Sequence, residues 1–152
     1  MNFSQPYKIL NWPSVVLSFL LEIACTFLTL LMAYAGLSKL MDRQVFQAQL
    51  SKSPFLTDYA NYVSWALPVL EILIAVLLVI RQSRLSALYA TLFIMAMFTF
   101  YIYAMFLFSY DLPCACGGIL SEMGWIEHLW FNIGVVCLTI ASIFLQISKE
   151  RR

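Results

Sequence analysis

Polar residues interrupt this chain at only a few places, and between them lie four apolar runs of similar length. The first covers 14–37 and carries a single charge, Glu22. The second, 62–80, contains Pro68 and Glu71, and the third, 85–108, has no charge at all. The fourth, 125–147, begins with Trp125, Glu127, His128, Trp130 and Asn132, and Lys149, Arg151 and Arg152 follow it. At about 1.5 Å per residue, each run is long enough as a helix to cross a hydrocarbon core about 30 Å thick. The pattern predicts an all-α protein, an integral membrane four-helix bundle forming one domain over 1–152. Ala33-Tyr-Ala35 before Gly36 resembles a signal-cleavage site, but the run exceeds the about 7–15 apolar residues of a secretory core, so a span is predicted there.

The breaks between runs are informative. Trp12-Pro13 reads as an interfacial anchor followed by a helix start. The stretch 39–61 is polar enough to leave the bilayer, yet Val45, Phe46, Leu50, Phe55 and Leu56 predict a segment lying on the membrane surface. Ser53-Pro54 offers a helix start in its second half. Tyr59, Tyr62 and Trp65 mark an interfacial belt before the second span, and Pro68 removes one backbone donor and bends that helix near its beginning. Arg81-Gln-Ser-Arg84 is a tight turn.

With 62 % hydrophobic and 11 % charged residues, the chain is more apolar than soluble domains, whose apolar share is about half. Lipid is therefore the predicted solvent for most of it. A net charge of +1 with nine scattered cations excludes a nucleic-acid surface, which needs clustered Lys and Arg. Placing both termini in the cytoplasm puts Lys8, Arg81, Arg84, Lys149, Arg151 and Arg152 on that side, against Lys39, Arg43 and Lys52 outside. That choice also puts the cation-free loop between the third and fourth runs outside, which in a bacterium is the oxidising side.

This loop holds the candidate chemistry, Asp111-Leu-Pro-Cys-Ala-Cys-Gly-Gly118. Cys114 and Cys116 can bond directly only if the backbone turns, because bonded cysteines need Cα atoms about 4.4–6.8 Å apart. Ala115, Gly117 and Gly118 permit the turn, and so short a ring is more easily reduced than a structural disulfide. Three uses remain open: a redox-active pair, a passive or partner-linked disulfide, and a metal site, for which too few ligands are at hand. Cys25 and Cys137 sit inside apolar runs and read as small hydrophobes.

Polar groups within the spans are the other candidates. Counted from the cytoplasmic ends, Glu22 and Glu71 fall at similar depth, about 12–15 Å, so the two carboxyls can meet in a proton relay or a helix contact. Lys39, at the outer end of the first span, is expected to pair with Asp42 or to snorkel to the interface. His128 lies on the side of the cysteines, where it can activate a thiol, contact a quinone or serve as a hydrogen-bonded structural residue. Asn132, one helical turn further on, extends that polar line inward.

Two stretches carry a family likeness: Ala35-Gly-Leu-Ser-Lys-Leu-Met-Asp42, and Ala66-Leu-Pro-Val-Leu-Glu71 running on to Arg81 and Arg84. Together with Pro113-Cys-Ala-Cys-Gly-Gly118, Trp125 and Asn132, they make the chain resemble the DoxX-like four-helix membrane proteins, and within them the MauE branch. The resemblance implies a multi-pass protein of the bacterial inner membrane that works in thiol redox chemistry beside a periplasmic thioredoxin-like protein. In methylamine utilisation such a protein supports disulfide formation in a dehydrogenase subunit. Of the family's functional residues, only Cys114 and Cys116 carry over.

The resulting expectation is a thiol-disulfide oxidoreductase in which Cys114, Cys116 and His128 act, with a membrane quinone as candidate electron carrier by analogy with quinone-linked disulfide oxidases. The alternative is a non-catalytic membrane subunit or assembly factor of a larger complex. A transporter built on Glu22 and Glu71 ranks third, since no inverted repeat accompanies them.

Overall fold

The computed structural model describes residues 14–52, 56–108 and 124–151. Among these residues every regular element is a helix: α1 (Ser14–Met41), α2 (Arg43–Ser51), a 3₁₀ turn (Thr57–Tyr59), α3 (Ala60–Val79), α4 (Arg84–Phe108) and α5 (Trp125–Glu150). Helices α1, α3, α4 and α5 have the length and apolarity to cross a membrane. The predicted all-α membrane bundle therefore stands. Helix α1 runs four residues beyond its predicted end, because Lys39 finds a partner inside the protein and does not end the span. Helix α5 likewise continues through Lys149 to Glu150.

The four long helices form a square. Helix α1 packs against α3 and α5, and α4 packs against the same two, which places α1 and α4 on one diagonal. The α1–α3 interface is the most extensive and α4–α5 comes next. Buried positions recur every three or four residues, as a helix face requires: Leu21, Cys25, Leu28 and Met32 on α1, and Ile74, Ala75 and Leu78 on α3. The outward faces carry exposed Phe19, Leu30, Phe93, Phe100, Trp130 and Phe144, a surface suited to acyl chains and not to water.

The interior is more polar than the exterior. Helix α5 buries His128, Asn132, Thr139, Ser142 and Gln146 along one face. Hydroxyls inside such a bundle need acceptors, and they find them on their own helices: Thr91, Thr139 and Ser142 each donate 2.8 Å bonds to the carbonyl four residues back.

Close approach of α1 and α3 depends on Gly36. A Cβ there would lie 2.8 Å from the Pro68 carbonyl oxygen and 2.8 Å from Ile72 Cγ1. Helix α3 runs on through Pro68, which is buried against this contact. Within 39–61, the stretch predicted to lie on the membrane surface, α2 buries Phe46 and Leu50 with Ala60 in a small second core at one end of the bundle. Val45 stays exposed. The predicted helix start at Ser53-Pro54 lies outside the described residues.

Candidate functional site

At the end of the bundle where α1 finishes and α3 and α5 begin, a lysine is buried. Lys39 Nζ donates to Glu71 Oε1 at 2.8 Å and Oε2 at 3.0 Å, and also to the Ala35 carbonyl at 3.4 Å. The Glu71 side chain is 0 % exposed. Two rings face the ammonium, Phe98 with its centroid at 5.3 Å and Phe46 at 6.0 Å. Lys39 thus neither pairs with Asp42 nor snorkels outward. Burying both charges costs their hydration, and the two short bonds from Nζ to the carboxylate, with the Ala35 carbonyl as a further acceptor, offset that cost.

Glu22 and Glu71 do not meet. Arg84 holds Glu22 by two bonds, Nη1 to Oε1 at 2.8 Å and Nη2 to Oε2 at 3.1 Å, with Arg81 and Lys149 each 3.9 Å from Oε1. The two carboxylates therefore belong to opposite ends, since their contacts on α1, Glu22 itself and Lys39, lie roughly 25 Å apart along the helix axis. Depth counted from Ser14 misplaces Glu22. The α3–α4 turn comes level with Glu22, two turns into α1, so this carboxylate sits beside the basic end of the bundle and is partly exposed.

His128 and Asn132 lie on one face of α5 and are both buried, 8 % and 4 % exposed. His128, in the first turn of α5, lies at the end of the bundle that holds Lys39. Neither the imidazole nor the amide hydrogen-bonds to another side chain among the described residues. The first turn of α5 is fixed by Glu127, whose carboxylate accepts the Gly124 N–H at 3.2 Å. Beside this cluster, Arg43 of α2 donates to Gln47 at 3.1 Å and to Ser64 Oγ at 3.5 Å and stacks 4.7 Å from the Trp65 ring, which ties α2 to α3.

Cys114 and Cys116 lie in the stretch 109–123, outside the described residues. The helix ends that flank this stretch, the last turn of α4 and the first of α5, stand at the same end of the bundle as Lys39, Glu71 and His128. Cys25 is buried in α1, and Cys137 is exposed on α5. Among the described residues, no three His, Cys, Asp or Glu side chains group as metal ligands.

Sequence reasoning singled out Lys39, Glu71, His128 and Asn132 separately, and the fold gathers them at one end. It missed the pairing of Arg84 with Glu22, Arg84 being read as a turn residue and a cytoplasmic cation, and the aromatic walls Phe46 and Phe98. A usable signal existed for Arg84: Glu22 is an isolated acid whose nearest cationic loop in an antiparallel hairpin is Arg81 to Arg84.

No curated protein and no solved structure matches this chain. The family model for the methylamine utilisation protein MauE matches residues 17–145, from the first turns of α1 almost to the end of α5 and across both loop cysteines. With that match covering most of its length, and with four helices fit to cross a membrane, the chain belongs to the MauE family of membrane proteins.

Proposed function

We propose that this protein is an inner-membrane thiol-disulfide oxidoreductase whose Cys114 and Cys116 exchange disulfides with a periplasmic thioredoxin-like partner. The observation that carries the reading is the buried Lys39–Glu71 pair, with His128 and Asn132 also buried, at the end of the bundle to which the cysteine-bearing stretch connects. An ionic pair deep in a membrane bundle is costly to keep and marks a working site more often than a scaffold. The family match spans both cysteines and supports the same reading. So does the distribution of cations. With Lys39 engaged by Glu71, the cysteine end presents fewer free positive charges than the end bearing Arg81, Lys149 and Arg151, which supports an outward-facing cysteine end and cytoplasmic termini.

Exchange balances without any further atom. A thiolate of the pair attacks the partner's disulfide, a mixed disulfide forms and one partner thiolate leaves. The second cysteine then attacks the mixed disulfide, so the pair ends oxidised and the partner reduced; the reverse sequence oxidises the partner. Two electrons and two protons move in either direction. A membrane quinone, when bound, supplies a two-electron, two-proton couple able to reset the pair. The residues present fit such a group: His128 and Asn132 are buried polar side chains without side-chain partners among the described residues, and the Phe98 ring lines the neighbouring space around Lys39. In this reading His128 and Asn132 would hold the quinone's polar head, while the Lys39–Glu71 pair keeps an exchangeable proton within the bundle.

The test replaces both cysteines by serine and follows partner redox state and complex assembly together. Loss of exchange with normal membrane insertion and unchanged association supports the oxidoreductase. Retained function with intact assembly favours the alternative, a non-catalytic subunit or assembly factor.

A further inference from the structure

The end of the bundle opposite the Lys39 cluster carries a second charged constellation that thiol exchange does not use. Glu22 is already satisfied by the two-pronged Arg84 contact at 2.8 and 3.1 Å. Arg81, from the α3–α4 turn, and Lys149, from the last turn of α5, approach the same carboxylate oxygen to 3.9 Å each. That distance is within reach of charge but too long for a hydrogen bond, so both groups keep their donors free. Arg81 is 81 % exposed and Lys149 41 %. Three cations thus gather around one carboxylate, leaving two positive charges uncompensated. Glu150, the other acid at this end among the described residues, accepts a bond from the neutral Gln146 amide at 2.8 Å, and its charge is matched by the neighbouring Arg151, so the excess of two stands.

The two free cations come from different elements, the α3–α4 turn and α5, and, both lying 3.9 Å from one oxygen, are no more than about 8 Å apart. One phosphate accepting a charge-assisted bond of about 2.7–2.9 Å from each spans that gap. The apolar surface beside them is exposed: Phe19 and Ile23 on α1, and Val79 and Ile80 where α3 ends. A ligand with a phosphate head and hydrocarbon tails matches both halves, whereas a free phosphate would leave the apolar half bare. We infer that Arg81 and Lys149, seated over the Glu22–Arg84 pair, form a binding site for the headgroup of an anionic phospholipid. Basic pockets between spanning helices bind such headgroups by the same physics. Bound there, the lipid links the α3–α4 turn to the end of α5 and closes the side of the square where α1 meets both.

The full-length protein is reconstituted in phosphatidylcholine bilayers doped with phosphatidylglycerol, released gently and weighed intact with its retained lipids. The wild type should retain phosphatidylglycerol well above its share of the bilayer. The double variant R81Q/K149Q, which alters two exposed side chains and leaves the Glu22–Arg84 contact in place, should lose that preference roughly ten- to thirtyfold. Its helix content, read by circular dichroism, should match the wild type. Equal retention by both proteins, or no enrichment in the wild type, overturns the proposal. Inorganic phosphate is the competing probe: failure to displace the lipid supports a lipid site, while full displacement at millimolar concentration reduces it to a simple anion contact and overturns the lipid assignment.

Discussion

Lys39 and Glu71 illustrate how a residue can be conspicuous in a sequence while its partner is not. Each stands out as a charge in an apolar run, but their contact depends on the register of α1 against α3, which neither run encodes alone. Separation of charge inside a bundle is costly, so removing one member should cost more than removing both. Lys39→Met or Glu71→Leu alone should lower stability by about 3–5 kcal/mol, whereas the double substitution should fall near the wild type. Unfolding in mild detergent measures this, and additive losses would show that the pair is not coupled. The double variant also separates roles. Folded but unable to exchange disulfides, it would mark the pair as working machinery; folded and fully active, it would mark it as architecture. His128 and Asn132 were legible as one face of α5 because residues four apart share a face. Their sharing an end of the bundle with the Lys39–Glu71 pair was less plain, since α1 and α5 are the first and last helices in the chain.

Helix packing makes its own prediction through two glycines. Gly36 sits where a Cβ would press on the Pro68 carbonyl oxygen, a backbone atom that cannot rotate away, so Gly36→Ala should force α1 and α3 apart and cost about 1–3 kcal/mol. Gly134 has nothing within 4 Å, and there Gly134→Ala should be neutral or stabilise α5 by up to about 1 kcal/mol through helix propensity. Thermal unfolding of the two variants side by side checks both; equal behaviour would contradict the α1–α3 contact. The four spans were readable because a helix that pairs its own backbone must still be apolar in its side chains, and long enough, to cross the hydrocarbon core. Neighbour relations among them were not, because outward apolar faces and the lipid look alike; the expected meeting of Glu22 with Glu71 failed for a different reason, the depth of Glu22, since α1 and α3 do pack together. The α3–α4 turn lies level with Glu22, and Arg84 reaches it first.

At the scale of the molecule, the protein is a square of four helices with chemistry at both ends. One end has a buried ion pair and the helix ends that flank the cysteine-bearing stretch; the other has a partly exposed carboxylate ringed by cations. Cys114 and Cys116 were the plainest chemical signal in the sequence, and the family match includes them. The measurement that bears most directly on the proposed function is labelling of these two thiols in intact cells with a membrane-impermeant maleimide, before and after the periplasm is made oxidising. With Cys25 and Cys137 replaced by serine to remove background, the account predicts that Cys114 and Cys116 are labelled from outside when reduced and become protected, reversibly, when oxidised. Labelling that occurs only after the cytoplasmic side is opened, or that does not change with redox conditions, would contradict it.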